Sequence, residues 1–350
     1  MTSRAQQAGC WLARSGIQES NGGVARYYRS DLERNAPISA EITGYAVSAF
    51  AYLHSLDGTA GHGDAAIRAA RYLADEVWDR ESHTFHFEPE SPHAYFFDIG
   101  IVARGLMSAW RLSGDEHFRE RAHQAALSLA FDFLGDGVFH PVISLPGKQP
   151  LAYEPRWSRQ PGCYQLKSAL AWRDLGDEHA SRLFGLALDS ALATHDLFLS
   201  GEADRERLMD RLHAYCYFLE ALLAVSDREE PRRALDSGIH RVGALLREVA
   251  TDFERSDVCA QLLRLRLIAH HLDAVPLDEP AAREEAERAA CYQIGGAEAH
   301  RLRGGFWFGK KCGIMLPFVN PVSTVFCLQA LALWEAHCAG RWRFGLHELI

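Results

Sequence analysis

The sequence predicts an all-α fold, an (α/α)6 barrel in which six inner helices are wrapped by six outer ones. Three observations lead there: helical periodicity dominates over weak strand signals, strongly apolar helices alternate with amphipathic ones, and short links alternate with long ones. The periodicity gives twelve helices, at about 3–14, 38–56, 63–78, 94–113, 115–134, 162–175, 178–196, 207–226, 230–251, 255–273, 279–294 and 320–338. No Pro-, Gly- or Ser-rich tether divides them, so residues 1–350 read as a single domain.

The helix at 38–56 sets the pattern. Ser39 is a good N-cap, and Glu41 places a carboxylate where the helix dipole favours one. Ile42, Tyr45, Val47, Phe50 and Leu53, with the alanines between them, cover most of the circumference, so protein must surround this helix. The even-numbered helices share that character, as in AYFFDIGIVARGLMSAW (94–110) and NPVSTVFCLQALALW (320–334), and are expected inside. The odd-numbered ones, such as HGDAAIRAARYLADEVWD (62–79) and EHFRERAHQAALSLAFDFL (116–134), carry charge on one side and Ala or Leu on the other. They are expected outside.

The links agree with this alternation. Those from inner to outer helices are short, as at 113–115, 175–178 and 226–230, and hold the Gly-Asp or Ser-Asp pairs that stop one helix and cap the next. Most links from outer to inner helices are long, at 15–37, 79–93, 135–161 and 295–319, and would share one face with the inner-helix N-termini. Long loops on a rigid scaffold are where sites are built, so that face is the expected site. The stretch 138–162 is Pro-rich but also aromatic and basic, and reads as a folded lid.

Composition narrows the function. A hydrophobic content of 48% suffices for a sizeable core, and the net charge of −9 is spread without a run of like charges. A nucleic-acid partner therefore has nothing to rest on, and a small polar substrate is expected instead. Eight cysteines (Cys10, Cys163, Cys216, Cys259, Cys291, Cys312, Cys327 and Cys338) are scattered, mostly on apolar helical stretches, and read as reduced core residues. The opening MTSRAQQAGCWLARSG lacks the apolar core of a leader, and no window reaches the ~18 apolar residues of a membrane span, so the expected location is the cytoplasm. The absence of GxxxxGK[ST], GxGxxG and GxSxG motifs argues against nucleotide chemistry and serine hydrolysis. Asp257-Val258-Cys259 has the Asp-x-Cys spacing of a zinc-binding toroid, the protein prenyltransferase β subunit, but the rest of that pattern is missing. Neither a metal nor another cofactor is expected.

The inner-helix starts supply three carboxylates, Glu41, Asp98 and Asp257, together with Tyr45, His93, His213, Tyr215 and Asn320. The long loops add Arg26, Tyr28, Tyr153, Arg156, Trp157, Arg159, Trp307 and Lys310. Aromatics interleaved with Arg and carboxylates suit a carbohydrate, whose rings stack on aromatic faces and whose hydroxyls need donors and acceptors. Cleaving a glycosidic bond requires two carboxyl groups, one protonated and one ionised, and burial beside a like charge raises a carboxyl pKa. Asp98 and Glu41 are the expected acid/base pair, with Asp257 a third candidate. Tyr28, Trp157 and Trp307 would stack on sugars, while Arg26, Arg156 and Arg159 would bind hydroxyls or carboxylates. Converging helix N-termini favour an anionic sugar such as a uronic acid. Structural roles compete: Asp257 can cap its helix beside Ser256, His213 and Tyr215 can be core residues, and GGFWFG (304–309) can be packing. Glu220 lies deeper in its helix and should be paired, and His54, His117, His123, His270 and His271 read as structural or surface residues.

At EITGYAVSAFAYLHSLDG and YFFDIGIVARGLMSAWRLSGD the chain resembles the six-hairpin glycosidase-like (α/α)6 superfamily. More narrowly, it resembles bacterial members associated with exopolysaccharide biosynthesis, which carry similar E-x-T-G-Y and F-D-x-G openings on consecutive inner helices. The likeness extends more loosely to GGFWFGKK…PFVNPVSTVFCLQAL. It implies the fold and highlights Glu41, Gly44, Tyr45, Asp98 and Gly100. It also implies a glycoside hydrolase acting on an oligo- or polysaccharide, or else a uronic-acid lyase or sugar epimerase with a Tyr or His base and an Arg or Lys partner. Outside those classes stand an isoprenoid-handling toroid and a non-catalytic sugar-binding protein.

Overall fold

The structure, a computed structural model, describes residues 3–88, 91–296 and 301–350; the remainder of the links at 79–93 and 295–319 lies outside the described residues. Twelve α-helices are present among the described residues, and the chain divides into two compact units.

One unit comprises Gln18–Arg26 and Pro37–His195. It holds α2 (Ala40–Asp57), α3 (Ala60–Arg71), α4 (Phe96–Ser113), α5 (Glu116–Phe131), α6 (Leu166–Leu175) and α7 (Glu178–Phe198) up to His195. These make three hairpins, with α4 packed between α2 and α6 and the amphipathic α3 and α5 outside them. Ser39 caps α2 by accepting the Ile42 N–H, and Gly58 ends it in the left-handed region at φ 65°. Glycine lets the inner helices touch backbone to backbone. A Cβ on Gly100 would lie 2.3 Å from Ser168 Cβ and 2.6 Å from its Cα, and one on Gly105 would lie 2.6 Å from the Gly44 carbonyl oxygen. Gly44 in turn faces Ile101 and Val102, so all three helices begin at the same end of the unit.

The other unit comprises Met1–Ile17, Tyr27–Ala36 and Asp196–Ile350. It holds α1 (Arg4–Arg14), α8 (Arg205–Leu222), α9 (Glu229–Val249), α10 (Ser256–His271), α11 (Glu279–Ala290) and α12 (Pro321–Cys338). Here α10 is the middle inner helix, packed against α8 and α12, while α1 packs on α12 from outside. The buried Arg264 on α10 donates to Gln329 Oε1 of α12 at 3.0 Å, to the Ile350 carbonyl at 3.2 Å and to Glu220 of α8. Glu220 is therefore paired, as expected from its depth.

Several boundaries differ from expectation. The helix expected at 63–78 is α3 followed by a π-helical segment at Tyr72–Val77, and that expected at 162–175 begins as a 3-10 turn at Cys163–Gln165. The long links hold short antiparallel strands that sequence periodicity does not reveal. His93–Tyr95 pairs with Val142–Ser144, Trp78–Asp79 with Thr84–Phe85, and Tyr28–Arg29 with both Phe318–Val319 and Arg34–Asn35. Strands of two or three residues are too short to show a period of two, and they form because backbone groups folded over helix ends need partners. The stretch at 138–162 is folded in this way, through Val142–Ser144 and a 3-10 turn at Trp157–Arg159. All eight cysteines are free, but only Cys163, Cys216, Cys259 and Cys327 are buried; Cys10, Cys291, Cys312 and Cys338 are exposed because they fall at helix ends and turns or on an outward face. Among the described residues, no helix is long and apolar enough to cross a membrane.

Replacing Gly100 with Ala should cost about 1–3 kcal/mol, since the methyl group meets backbone that cannot rotate away. Gly185→Ala, within α7 and with no atom within 4 Å of the new methyl, should instead gain about 1 kcal/mol. Urea unfolding of both variants measures the contrast, and a Gly100→Ala protein as stable as the parent would refute the backbone contact between α4 and α6.

Candidate active site

In the first unit the helix starts gather a specific set of groups. Glu41 lies in the first turn of α2 and Asp98 in the first turn of α4, each just before the glycine that lets those helices approach their neighbours. Thr43 ties the preceding loop to α2: its Oγ1 accepts the Val24 N–H at 2.9 Å and donates to the Ser39 carbonyl at 2.7 Å. That anchor delivers Arg26 two residues later. The three polar features of EITGY are thus a carboxyl group, a loop tether and a packing notch.

The electrostatics of the pair follow from burial. Asp98 is 9% exposed. Burial, and then the neighbouring Glu41 charge, push its carboxyl well above the usual carboxylate range, with Arg26 opposing. Burial likewise pushes Glu41 up to about 7, again against Arg26. Among the described residues no ion pair closes on either carboxyl. Both shifts favour the protonated form, and ionising one carboxyl raises the cost of ionising the other.

Around this pair stand residues from three loops. The Arg26 guanidinium is 2.8 Å from Glu88 and 4.8 Å from the centroid of the Phe87 ring. Phe87 lies 4.7 Å from Tyr95, over whose ring Arg159 sits at 5.3 Å while also facing Glu154 at 3.5 Å. Trp157 meets Tyr164 edge to face at 5.0 Å, and Arg156 is exposed with its charge felt at Tyr95. Tyr153 is half exposed and shares a hydrogen bond with His140, at 2.9 Å. His93 is partly buried and extends the strand that leads into α4, facing Ser144. Tyr45 is 2% exposed, a core side chain that offers no face to a ligand.

In the second unit most of the expected site residues have structural partners. Arg255 grips Asp257 with two hydrogen bonds, Nε to Oδ1 at 3.0 Å and Nη2 to Oδ2 at 2.7 Å, and reaches Asp210 at 2.7 Å. Burial opposes the Asp257 charge, but Arg255 outweighs it and holds the carboxyl below its usual range. Asp257 therefore departs from expectation, because a carboxylate committed to a guanidinium has no proton to give. His213 donates from Nδ1 to Gln261 at 2.8 Å, and burial, followed by the Arg255 charge, lowers it to about 4. It is neutral at physiological pH. Arg301 covers the Tyr28 ring at 4.6 Å, Lys310 pairs with Glu254 at 3.2 Å, and Asn320 caps α12 through Val322 and Ser323. Trp307 is half buried, its carbonyl accepting from Ser256, and Tyr215 is 1% exposed. Among the described residues no group of three His, Cys, Asp or Glu side chains could hold a metal ion.

Sequence reasoning missed Glu88, Phe87, Arg255, Asp210 and Gln261. An Arg two residues before a helix-start Asp was a usable signal for the Arg255–Asp257 grip. Glu88 carried none, since its partner lies far away along the chain.

No family model matches the sequence, and no curated protein matches it. Solved structures do match. Cellobiose 2-epimerase from Bacillus thermoamylovorans aligns with TM-score 0.69 at 11% identity, covering 92% of this chain and 95% of that one. A D-mannose isomerase aligns with TM-score 0.66 at 10% identity, over 94% and 96%. A glycoside hydrolase family 76 mannosidase from Bacteroides thetaiotaomicron aligns with TM-score 0.59 at 11% identity, over 96% and 100%. The likeness shows the fold: this chain has the six-hairpin (α/α)6 fold that its sequence predicts and that these structures share.

The Glu41–Asp98 pair and Asp257 should affect stability in opposite directions. A raised folded pKa gives stability that is fully present below the unfolded value and is lost as pH climbs through the folded one, so the Glu41–Asp98 pair should weaken the fold from about pH 4 upward, through about 7 for Glu41. Asp98→Asn should flatten that decline and be the more stable protein at about pH 8. The lowered pKa of Asp257 stabilises above its unfolded value and is lost only in acid, and Asp257→Asn should cost about 1.5–3 kcal/mol near neutrality by leaving Arg255 with Asp210 as its ion-pair partner. Denaturant titrations at two pH values decide both; an Asp98→Asn protein less stable than the parent at alkaline pH would contradict the assignment.

Proposed function

We propose that this chain is a carbohydrate-active enzyme in which Asp98 and Glu41 act as acid and base, and that the reaction is hydrolysis of a glycosidic bond in an oligo- or polysaccharide. The observation that carries the reading is the pair itself: two carboxyl groups whose burial retains a proton near pH 7, ringed by arginines and aromatic faces. A retained proton is what a departing sugar oxygen must receive, and the partner carboxylate can activate water or attack the sugar carbon. Trp157 and Tyr153 are the aromatic groups offered to a sugar ring, and Arg26, Arg156 and Arg159 the donors for hydroxyls or a uronic carboxylate. The motif likeness to exopolysaccharide-associated proteins favours a polymer as substrate. Asp257 enters this reading only as the partner of Arg255.

A second reading, sugar epimerisation or isomerisation, is favoured by the higher TM-scores to cellobiose 2-epimerase and D-mannose isomerase than to the mannosidase. The same proton-sharing pair would then move a proton on one sugar ring without shortening the chain.

Incubating gluco- and manno-oligosaccharides with the protein in deuterated water, and following products by proton NMR, separates the readings. Hydrolysis yields shorter chains and new reducing ends, whereas epimerisation yields chains of unchanged length, with solvent deuterium on carbon when the proton exchanges. Under either reading Asp98→Asn should lower kcat about 10²–10⁴-fold without lowering Tm. Activity that needs one proton on the pair should persist through neutral pH and fall on the alkaline side, as the last proton leaves the two raised carboxyl groups. Full activity in Asp98→Asn would overturn the proposal.

A further inference from the structure

Arg26 acts electrostatically on Glu41 and Asp98 but is joined to Glu88. Its backbone is fixed, since the Val24 N–H is held by Thr43 and its own N–H donates to the Pro37 carbonyl at 3.0 Å. Its guanidinium pairs with Glu88 at 2.8 Å, and among the described residues it closes no ion pair with Glu41 or Asp98. The Arg26 and Glu88 side chains are 32% and 37% exposed, so the bridge contributes little as a stability device.

The segment that presents Glu88 is nevertheless well anchored. Trp78 and Phe85 pair across a short ladder and meet edge to face at 5.0 Å. His86 lies between Asp79 Oδ2, at 2.9 Å, and the Ser91 carbonyl, at 2.6 Å, and Ser82 donates to the same Asp79 carboxylate. The Phe87 N–H donates to the His93 carbonyl at 2.9 Å, and the Phe87 ring bridges the Arg26 guanidinium and Tyr95 at the start of α4. An anchored hairpin thus holds one carboxylate and one aromatic face against a single arginine.

We propose that Glu88 is a positioning residue: with Phe87 it holds the Arg26 guanidinium off the Glu41–Asp98 pair, and so sets how tightly that pair holds its protons. A cation closing on the pair would favour its fully ionised form and remove the proton. The other titratable groups facing the pair are Tyr95 from the start of α4 and Tyr164 from the start of α6, with Arg156, Arg159 and Glu154 acting on Tyr95 from the loop beyond. The consequence for turnover rests on the acid/base reading above, but the charge effect is measurable without a substrate.

The test is the titration of the pair in the full chain, followed by NMR of side-chain carboxyl carbons labelled in Asp and Glu, in the parent, Glu88→Gln, Arg26→Gln and the double variant. Glu88→Gln frees Arg26 and should lower the midpoint by about one pH unit, a tenfold loss of proton affinity. Arg26→Gln should raise it, and the double variant should match Arg26→Gln alone; Glu88→Asp should fall between the parent and Glu88→Gln. An unchanged midpoint in Glu88→Gln overturns the proposal. So does an equal fall in the Arg26→Gln background, which would mean that Glu88 acts through its own charge. If the midpoint moves as expected while the pH dependence of activity stays put, the positioning role stands and the acid/base reading of the pair fails.

Discussion

Backbone contact between α4 and its neighbours α2 and α6 is the constraint on which the candidate site depends. Gly44, Gly100 and Gly105 remove the side chains that would hold these helices a normal distance apart, and the gap closes until Cα and carbonyl atoms meet. Because the three helices start at one end of their unit, the same closure brings their first turns together. Glu41 and Asp98 occupy those turns, so a packing feature becomes an electrostatic one. Two carboxyl groups are thereby placed where burial disfavours their charged forms.

The two units treat buried acids differently. In one, Asp257 is gripped by Arg255, which also reaches Asp210, and its charge is stabilised by geometry that leaves no proton in place. In the other, the nearest guanidinium is engaged with Glu88, and burial dominates. The first arrangement is that of a structural ion pair, and the second, without an ion-pair partner, is the one that the proposed acid/base reading uses. Within the Asp257 unit Arg264 also pairs with Glu220 and Arg266 with Glu285, although burial still pushes the Glu285 carboxyl up to about 7 against Arg266.

Much of the architecture was legible in the sequence because it rests on local rules. Apolar periodicity marked the inner helices, Ser39 marked the start of α2, and alternating link lengths gave the hairpin pairing. The EITGY and FDIG openings singled out Glu41 and Asp98 together with the glycines that bring them close, although the packing role of those glycines emerges only from the neighbouring backbone. What escaped notice depends on partners distant in the chain. Nothing local shows that Arg301 covers Tyr28, that Glu254 takes Lys310, or that Glu88 takes Arg26. Asn320 belongs with them, since an Asn before Pro at a helix start is as readily a cap as a ligand, and here it is a cap.

The central claim is that Glu41 and Asp98 together retain a proton at neutral pH. Infrared difference spectroscopy on the parent protein against Asp98→Asn, with carboxyl carbons isotope-labelled to identify the band, tests it most directly. The account predicts a protonated carboxyl stretch near pH 7 that is lost or shifted in the variant. A parent spectrum containing only ionised carboxylates at that pH would contradict it.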